Sequence, residues 1–370
     1  MRWLVTAVVV AGTIAWTYPD VLIGLVGAFV GMLVAMTAPQ AGLAFGAVLF
    51  GLRITHLIIG LGSEVKAWTW TNRRVVVRAV PLLATVGITG QKPGVRWRTV
   101  STGAFAVLFY AGVVALMWLA TGSAFGRGMA LAGAGCLALQ LVPVKQAGHT
   151  SLGWFVFTLP KLSGRPLAEL EARPRVLAGM DAYQRGDLDE AERVVDGLLR
   201  DHPDLITVVG LKVVTACARE RYLDALQSVV GLSAREDLGA HELSLVMATT
   251  AGVTALAVEA GQFPAEVGLE TARDMLGNAY EAGYPRHRAN GTLAIIALLE
   301  GDTAEARRLA RHAADSSENA AERADELVTI ARAWMADGDN AKARELAAEA
   351  HQLAGWSPRV AATHARLQIS

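Results

Sequence analysis

The sequence predicts an all-α, multi-domain protein: a polytopic transmembrane bundle of about four spans, with a short membrane-surface β element, followed by an α-solenoid of helix pairs. Three observations predict it. Apolar runs crowd residues 1–150, a Gly-Asp pattern recurs through residues 175–370, and the charge divides between them. The chain as a whole balances 34 Lys+Arg against 34 Asp+Glu. Residues 1–148, however, hold 11 basic residues and only Asp20 and Glu64 as acids, for a net +9. The remainder carries 23 basic and 32 acidic residues, a net −9. Such asymmetry separates domains, and the reading is a transmembrane domain over 1–150, an interfacial linker over 151–174 and a helical repeat domain over 175–370.

The apolar runs come in order. Residues 3–16 (WLVTAVVVAGTIAW) follow Arg2, and no small-residue cleavage site comes before the next run, so they read as a retained helix. The second and longest run extends from Val21 to about Leu52. Residues 101–120 cover the roughly 30 Å of a hydrocarbon core, and residues 128–144 are shorter and rich in small residues. Between the second and third runs lie Arg53, Lys66, Arg73, Arg74, Arg78, Lys92, Arg96 and Arg98. The positive-inside rule puts this stretch in the cytoplasm, and four spans then put the N-terminus and the repeat domain there too, in a multi-pass cell-membrane protein. "RRVVVRAVPLLATVGITG" (73–90) is rich in β-branched residues and predicts strand, and "RITHLIIGLG" (53–62) offers another. The Ala-, Gly-, Val- and Arg-rich composition suggests a GC-rich bacterial genome.

"MTAPQAGLAF" (36–45) interrupts the second run with a proline and an amide, which helix interiors and lipid respectively disfavour. Around it stand "LIIGLGSEV" at 57, "VVVRAVPLLATV" at 75, "STGAFAVLFYAG" at 101 and "LQLVPVKQAGHT" at 139. Taken together, residues 21–165 resemble the site-2 protease family of intramembrane zinc metalloproteases, with Gly60, Gly62, Arg78 and Pro81 in register. The resemblance implies a HExGH slot on Pro39-Gln40-Ala41-Gly42-Leu43 and a third zinc ligand at Ala147 or Gly148. Pro39, Leu43 and Gly148 bring no side-chain donor to a metal. Gln40 stands in the place of the general base, and an amide cannot take up that proton. The expectation is a pseudoprotease without catalytic residues or cofactor. His56 and His149, each near a family motif, are the two residues that a relocated zinc site would recruit.

From Arg173 the chain repeats itself. "GDLDEAE" at 186, "GDTAEAR" at 301 and "GDNAKAR" at 338 share one pattern, with "ERYLDAL" at 220 and "GQFPAEV" at 261 as weaker versions. Ala191 and Ala225 are separated by the tetratricopeptide period, and Ala306 and Ala343 by slightly more. Gly186, Gly301 and Gly338 suit a left-handed helix end. Asp187, Asp302 and Asp339 suit the caps of the following helices, and the alanines suit close helix crossings. Pro203 stands where this repeat ends a helix. About five repeats are counted, and these residues are structural.

A solenoid of this kind binds proteins or peptides in its concave face. The acidic balance argues against nucleic acid and for a basic protein segment. The expected function is therefore a membrane-anchored interaction scaffold: bilayer, protein partner and candidate transmembrane protein segment, but no nucleic acid. The alternatives are an active zinc metalloprotease with an atypical ligand set and a plain membrane-tethered repeat scaffold. Two isolated cysteines, Cys136 and Cys217, form no disulfide framework. No phosphate loop, Ser-His-Asp arrangement or dinucleotide fingerprint has a supporting context.

Overall fold

A computed structural model describes residues 19–70, 73–90, 94–146, 149–317 and 319–369. Contacts divide the chain into two compact units, Met1–Pro174 and Arg175–Ser370. The predicted helix over 3–16, and the Ala147 and Gly148 positions, lie outside the described residues.

The first unit is built on helix α1 (Pro19–Leu49), which packs on α2 (Val95–Ala120) and α3 (Ala124–Leu141). All three are long and apolar enough to cross a membrane. Glycine brings α1 into backbone contact with both neighbours. A Cβ on Gly31 would lie 2.4 Å from the Met129 carbonyl of α3, and one on Gly42 would lie 2.9 Å from Cα of Ala106 in α2. Small residues at these crossings let the helix backbones approach within van der Waals contact. Tyr110 of α2 is fully buried and donates to the Gly133 carbonyl of α3 at 2.9 Å.

Helix α2 starts earlier than its apolar run, taking in Arg96, Trp97 and Arg98. Arg98 donates to the Phe50 carbonyl at 2.8 Å, which ties the start of α2 to the end of α1. Helix α3 begins where Ser123 caps it by accepting from the Gly126 N–H, and ends two residues before Pro143.

The β element is longer than the sequence suggested. Strands β1 (Arg53–Trp70) and β2 (Arg73–Thr89) form an antiparallel hairpin of 18 and 17 residues that bends back on itself. His56–Ile59 pair with Ala84–Gly87 on one side and Arg74–Val77 on the other, while Lys66–Trp70 pair with Arg73–Val77. Four segments thus lie abreast. The bend needs glycine at Gly60, where φ is 103° and a Cβ would sit 2.7 Å from the Val80 carbonyl. The frequent β-branched residues in 73–89 (Val75, Val76, Val77, Val80, Thr85, Val86, Ile88 and Thr89) support a longer strand than a surface loop requires.

The stretch read as a linker is part of this unit's core. After a two-stranded turn, β3 (Lys145–Gln146) with β4 (His149–Thr150), Leu152 and Leu159 are buried, and Phe155 packs with Ala106 and Tyr110.

The second unit is a succession of helices: α4 (Arg165–Gln184, entering from the first unit), α5 (Leu188–Asp201), α6 (Ile206–Ala218), α7 (Tyr222–Ser233), α8 (Ala240–Glu259), α9 (Ala265–Glu281), α10 (Asn290–Leu299), α11 (Thr303–Ser316), α12 (Ala320–Ala336), α13 (Asn340–Ala354) and α14 (Pro358–Ile369). Most neighbours in sequence are neighbours in space, as short turns between helices require, whereas α10 packs on α8 rather than on α9. Helix α8 is also long and apolar enough to cross a membrane. Its apolarity has another cause: it is buried on several faces, with Val246 and Val253 in one core cluster and Ala251 and Ala255 in the next.

Candidate functional site

In the first unit, the slot that the protease resemblance assigns to zinc is occupied by packing. Pro39 and Gly42 are buried, and Leu43 lies in the core with Ala35, Ala38, Ala106 and Leu152. Pro39 sits inside α1, where its missing N–H leaves the Ala35 carbonyl without a helical donor. Gln40 has a partner: its Oε1 accepts from the backbone N–H of Val86 in β2 at 3.0 Å. The amide thereby joins the helix to the bent hairpin. Next to the slot, a cavity of about 340 Å³ is lined by Met32, Ala35, Met36, Cys136, Gln140 and Ser151 among others. Its walls are mostly apolar, with one thiol, one amide and one hydroxyl.

The ring of His56 lies over Gly87, close enough that a Cβ there would be 2.0 Å from Cε1, and the side chain is otherwise exposed. The backbone of His149 pairs with Gln146. Among the described residues no three His, Cys, Asp or Glu side chains converge as metal ligands would. The donors present in the slot do not fit zinc.

In the second unit, the repeat residues sit at the tight turns and crossings. Gly186, Gly301 and Gly338 have φ of 78°, 86° and 81°. Asp187 and Asp302 accept from the N–H three residues on at 3.0 Å, and Asp339 does so at 3.2 Å. Ala191, Ala225, Ala306 and Ala343 are wholly buried. Pro203 follows α5 and is exposed. Glu220 takes the glycine's place in the turn between α6 and α7, with φ of 56°.

A charged cluster that the sequence did not disclose crosses this unit. Glu259, at the end of α8, is 3 % exposed and Arg359 of α14 is 8 % exposed. Arg359 Nε donates to Glu259 Oε2 at 2.7 Å and its Nη2 to Oε1 at 3.0 Å. Arg359 also donates to the Asp325 carbonyl at 2.8 Å and to Thr329 Oγ1 at 2.9 Å, both on α12. Arg332 approaches Glu259 at 2.7 Å. Burial alone would push the Glu259 carboxyl up, but Arg359 and Arg332 outweigh it and hold it below its usual range. Beside the cluster lies a cavity of about 300 Å³ lined by Tyr183, Tyr222, Tyr284, Asp325, Pro358 and Arg359 among others. Cys217, also on its wall, is pushed up to about 12 by burial, which makes it a poor nucleophile. Residues 100 apart leave no local pattern to read, which is why periodicity missed this pair. The available signal was Glu259 closing a helix whose other acid, Glu242, lies in its first turn.

No protein-family profile matches the chain. No curated protein matches it either. Among solved structures, it is similar to a chain of the APC/C hetero-tetramer Cut9–Hcn1, at 12% identity and a TM-score of 0.31, over 76% of this chain and 71% of that one.

Proposed function

We propose that this chain is a membrane-anchored interaction protein: a site-2-protease-like membrane unit without protease chemistry, carrying a tetratricopeptide-like unit that binds a protein partner. The observation that carries the reading is the use made of residues 39–43. The position of the general base holds Gln40, whose carbonyl is committed to the Val86 N–H, and the outer ligand positions hold Pro39 and Leu43 in apolar packing. Such a centre can retain a transmembrane segment but has no group to activate water.

The distribution of basic and aromatic residues supports the membrane reading. The end of α1, the start of α2 and the end of α3 lie on one side of the bundle. There Arg96 lies over Trp97 and Lys145 over Trp154, cation–π pairs at 5.3 and 4.7 Å. Tryptophan favours a membrane interface, and basic side chains favour the cytoplasmic one. This supports a cytoplasmic position for the basic hairpin and for the repeats that follow. In the second unit the residues of the Gly-Asp pattern serve turns and crossings, so its surface is free to serve binding.

Elemental analysis of the detergent-purified chain tests the pseudoprotease reading, with His56→Ala and His149→Ala variants measured in parallel. The expected result is no stoichiometric zinc in any of the three. About one zinc per chain that is lost in either variant would mean a relocated metal site and would overturn the pseudoprotease reading.

A further inference from the structure

The last described helix, α14, is tied to the middle of its unit through a buried arginine. Helix α14 buries Arg359, Val360, Thr363 and Leu367, with Val360 and Leu367 each in a core cluster of the unit. Its strongest attachment is the four hydrogen bonds that Arg359 makes to Glu259, Asp325 and Thr329, on helices α8 and α12. Just before it, the Trp356 ring meets Tyr183 of α4 edge-on at 5.3 Å and lies against Gly186, where a Cβ would be 2.4 Å from it. The segment Trp356–Arg359 thus bridges the first helical turn of the unit and its middle. Beside this segment an open pocket of about 300 Å³ lies against Pro358 and Arg359.

We propose that residues 356–369 are an internal occupant of the groove, and that the partner is a peptide or helix presenting an arginine to Glu259 in their place. This rests on the reading of the second unit as a protein-binding unit and names the chemistry of its site. The bidentate geometry selects arginine over lysine, since only a guanidinium offers two parallel N–H groups to one carboxylate. The excess of 32 acidic over 23 basic residues beyond residue 148 favours the same class of partner. An occupied groove lowers apparent affinity by the fraction of time it is open, so a groove filled 99% of the time weakens binding about a hundredfold.

The test uses the full chain in detergent, as wild type, Arg359→Ala and Glu259→Gln. Hydrogen exchange is measured on each, together with binding of a labelled peptide of residues 356–369. In Arg359→Ala, exchange over 358–369 should rise on the order of tenfold or more while α5–α12 keep their protection. The same variant should bind the peptide at least about tenfold more tightly than wild type. Glu259→Gln should also release the segment yet fail to bind the peptide, and an Arg→Ala peptide should bind none of the three. Exchange rising over all helices together would make α14 a structural cap and overturn the proposal. Release of 358–369 without peptide binding would overturn it as well, while leaving open a partner site on another face of the unit.

Discussion

Gln40 Oε1 accepts the backbone N–H of Val86 at 3.0 Å, which joins the middle of an apolar helix to the inner edge of a bent hairpin 46 residues away. An amide in a transmembrane helix is costly unless its polar atoms are satisfied inside the protein. Here the strand supplies the donor, and the helix in turn covers an N–H that would otherwise face apolar surroundings. The Gln40→Leu variant keeps the volume and removes the acceptor. It should lower stability by about 1–3 kcal/mol, the cost of a buried N–H left without a partner. Thermal unfolding in detergent reads this directly. An unchanged midpoint would mean that water reaches Val86 and that the contact holds nothing together.

A second consequence follows from Glu220. It adopts φ of 56° in the turn where the sister repeats place glycine. A left-handed conformation costs an ordinary residue roughly 1–2 kcal/mol, and glycine returns part of that by its freedom in the unfolded chain. Glu220→Gly should therefore stabilise the repeat unit by about 0.5–1 kcal/mol. A fall in the midpoint of chemical denaturation would show that the Glu220 side chain makes contacts worth more than the strain.

These two positions show what could be read from the sequence. Gly186, Gly301 and Gly338 announce their turns because a local backbone geometry demands a particular residue, and three-residue caps such as Asp302 to Glu305 recur within one turn. The apolar helices are equally visible, since length and hydropathy are local sums. What escaped notice is non-local. The pairing of Val86 with Gln40, the bend that sets four strand segments abreast and the Arg359–Glu259 pair all depend on how distant segments meet. Helix α8 shows the converse limit. Burial among other helices and burial in lipid select the same apolar residues, so composition alone admits both.

The caps allow a direct comparison. Asp302 accepts from the Glu305 N–H at 3.0 Å at the start of α11, and the bond is exposed to water. Asp302→Ala should cost about 1 kcal/mol, and Asp302→Asn distinctly less, because the amide oxygen can still accept. Equal losses in the two variants would assign the effect to charge at the helix N-terminus rather than to the capping bond.

Glu326 on α12 has Oε2 buried without a hydrogen-bond partner, and its Oε1 lies against Gly291. Burial pushes its carboxyl up to about 8; Arg359 opposes the shift, and the neighbouring acids Asp325 and Glu322 reinforce it. In the unfolded chain a glutamate titrates near 4.3. Between those values the folded state binds more protons than the unfolded state, so stability falls as pH rises. The contribution is fully present below about pH 4 and is lost as pH climbs through about 8. The Glu326→Gln variant cannot ionise, so its stability should decline less than that of wild type between pH 5 and 9. Melting curves across that range decide the matter: parallel profiles for the two proteins would mean that water or a counter-charge stabilises the ionised Glu326.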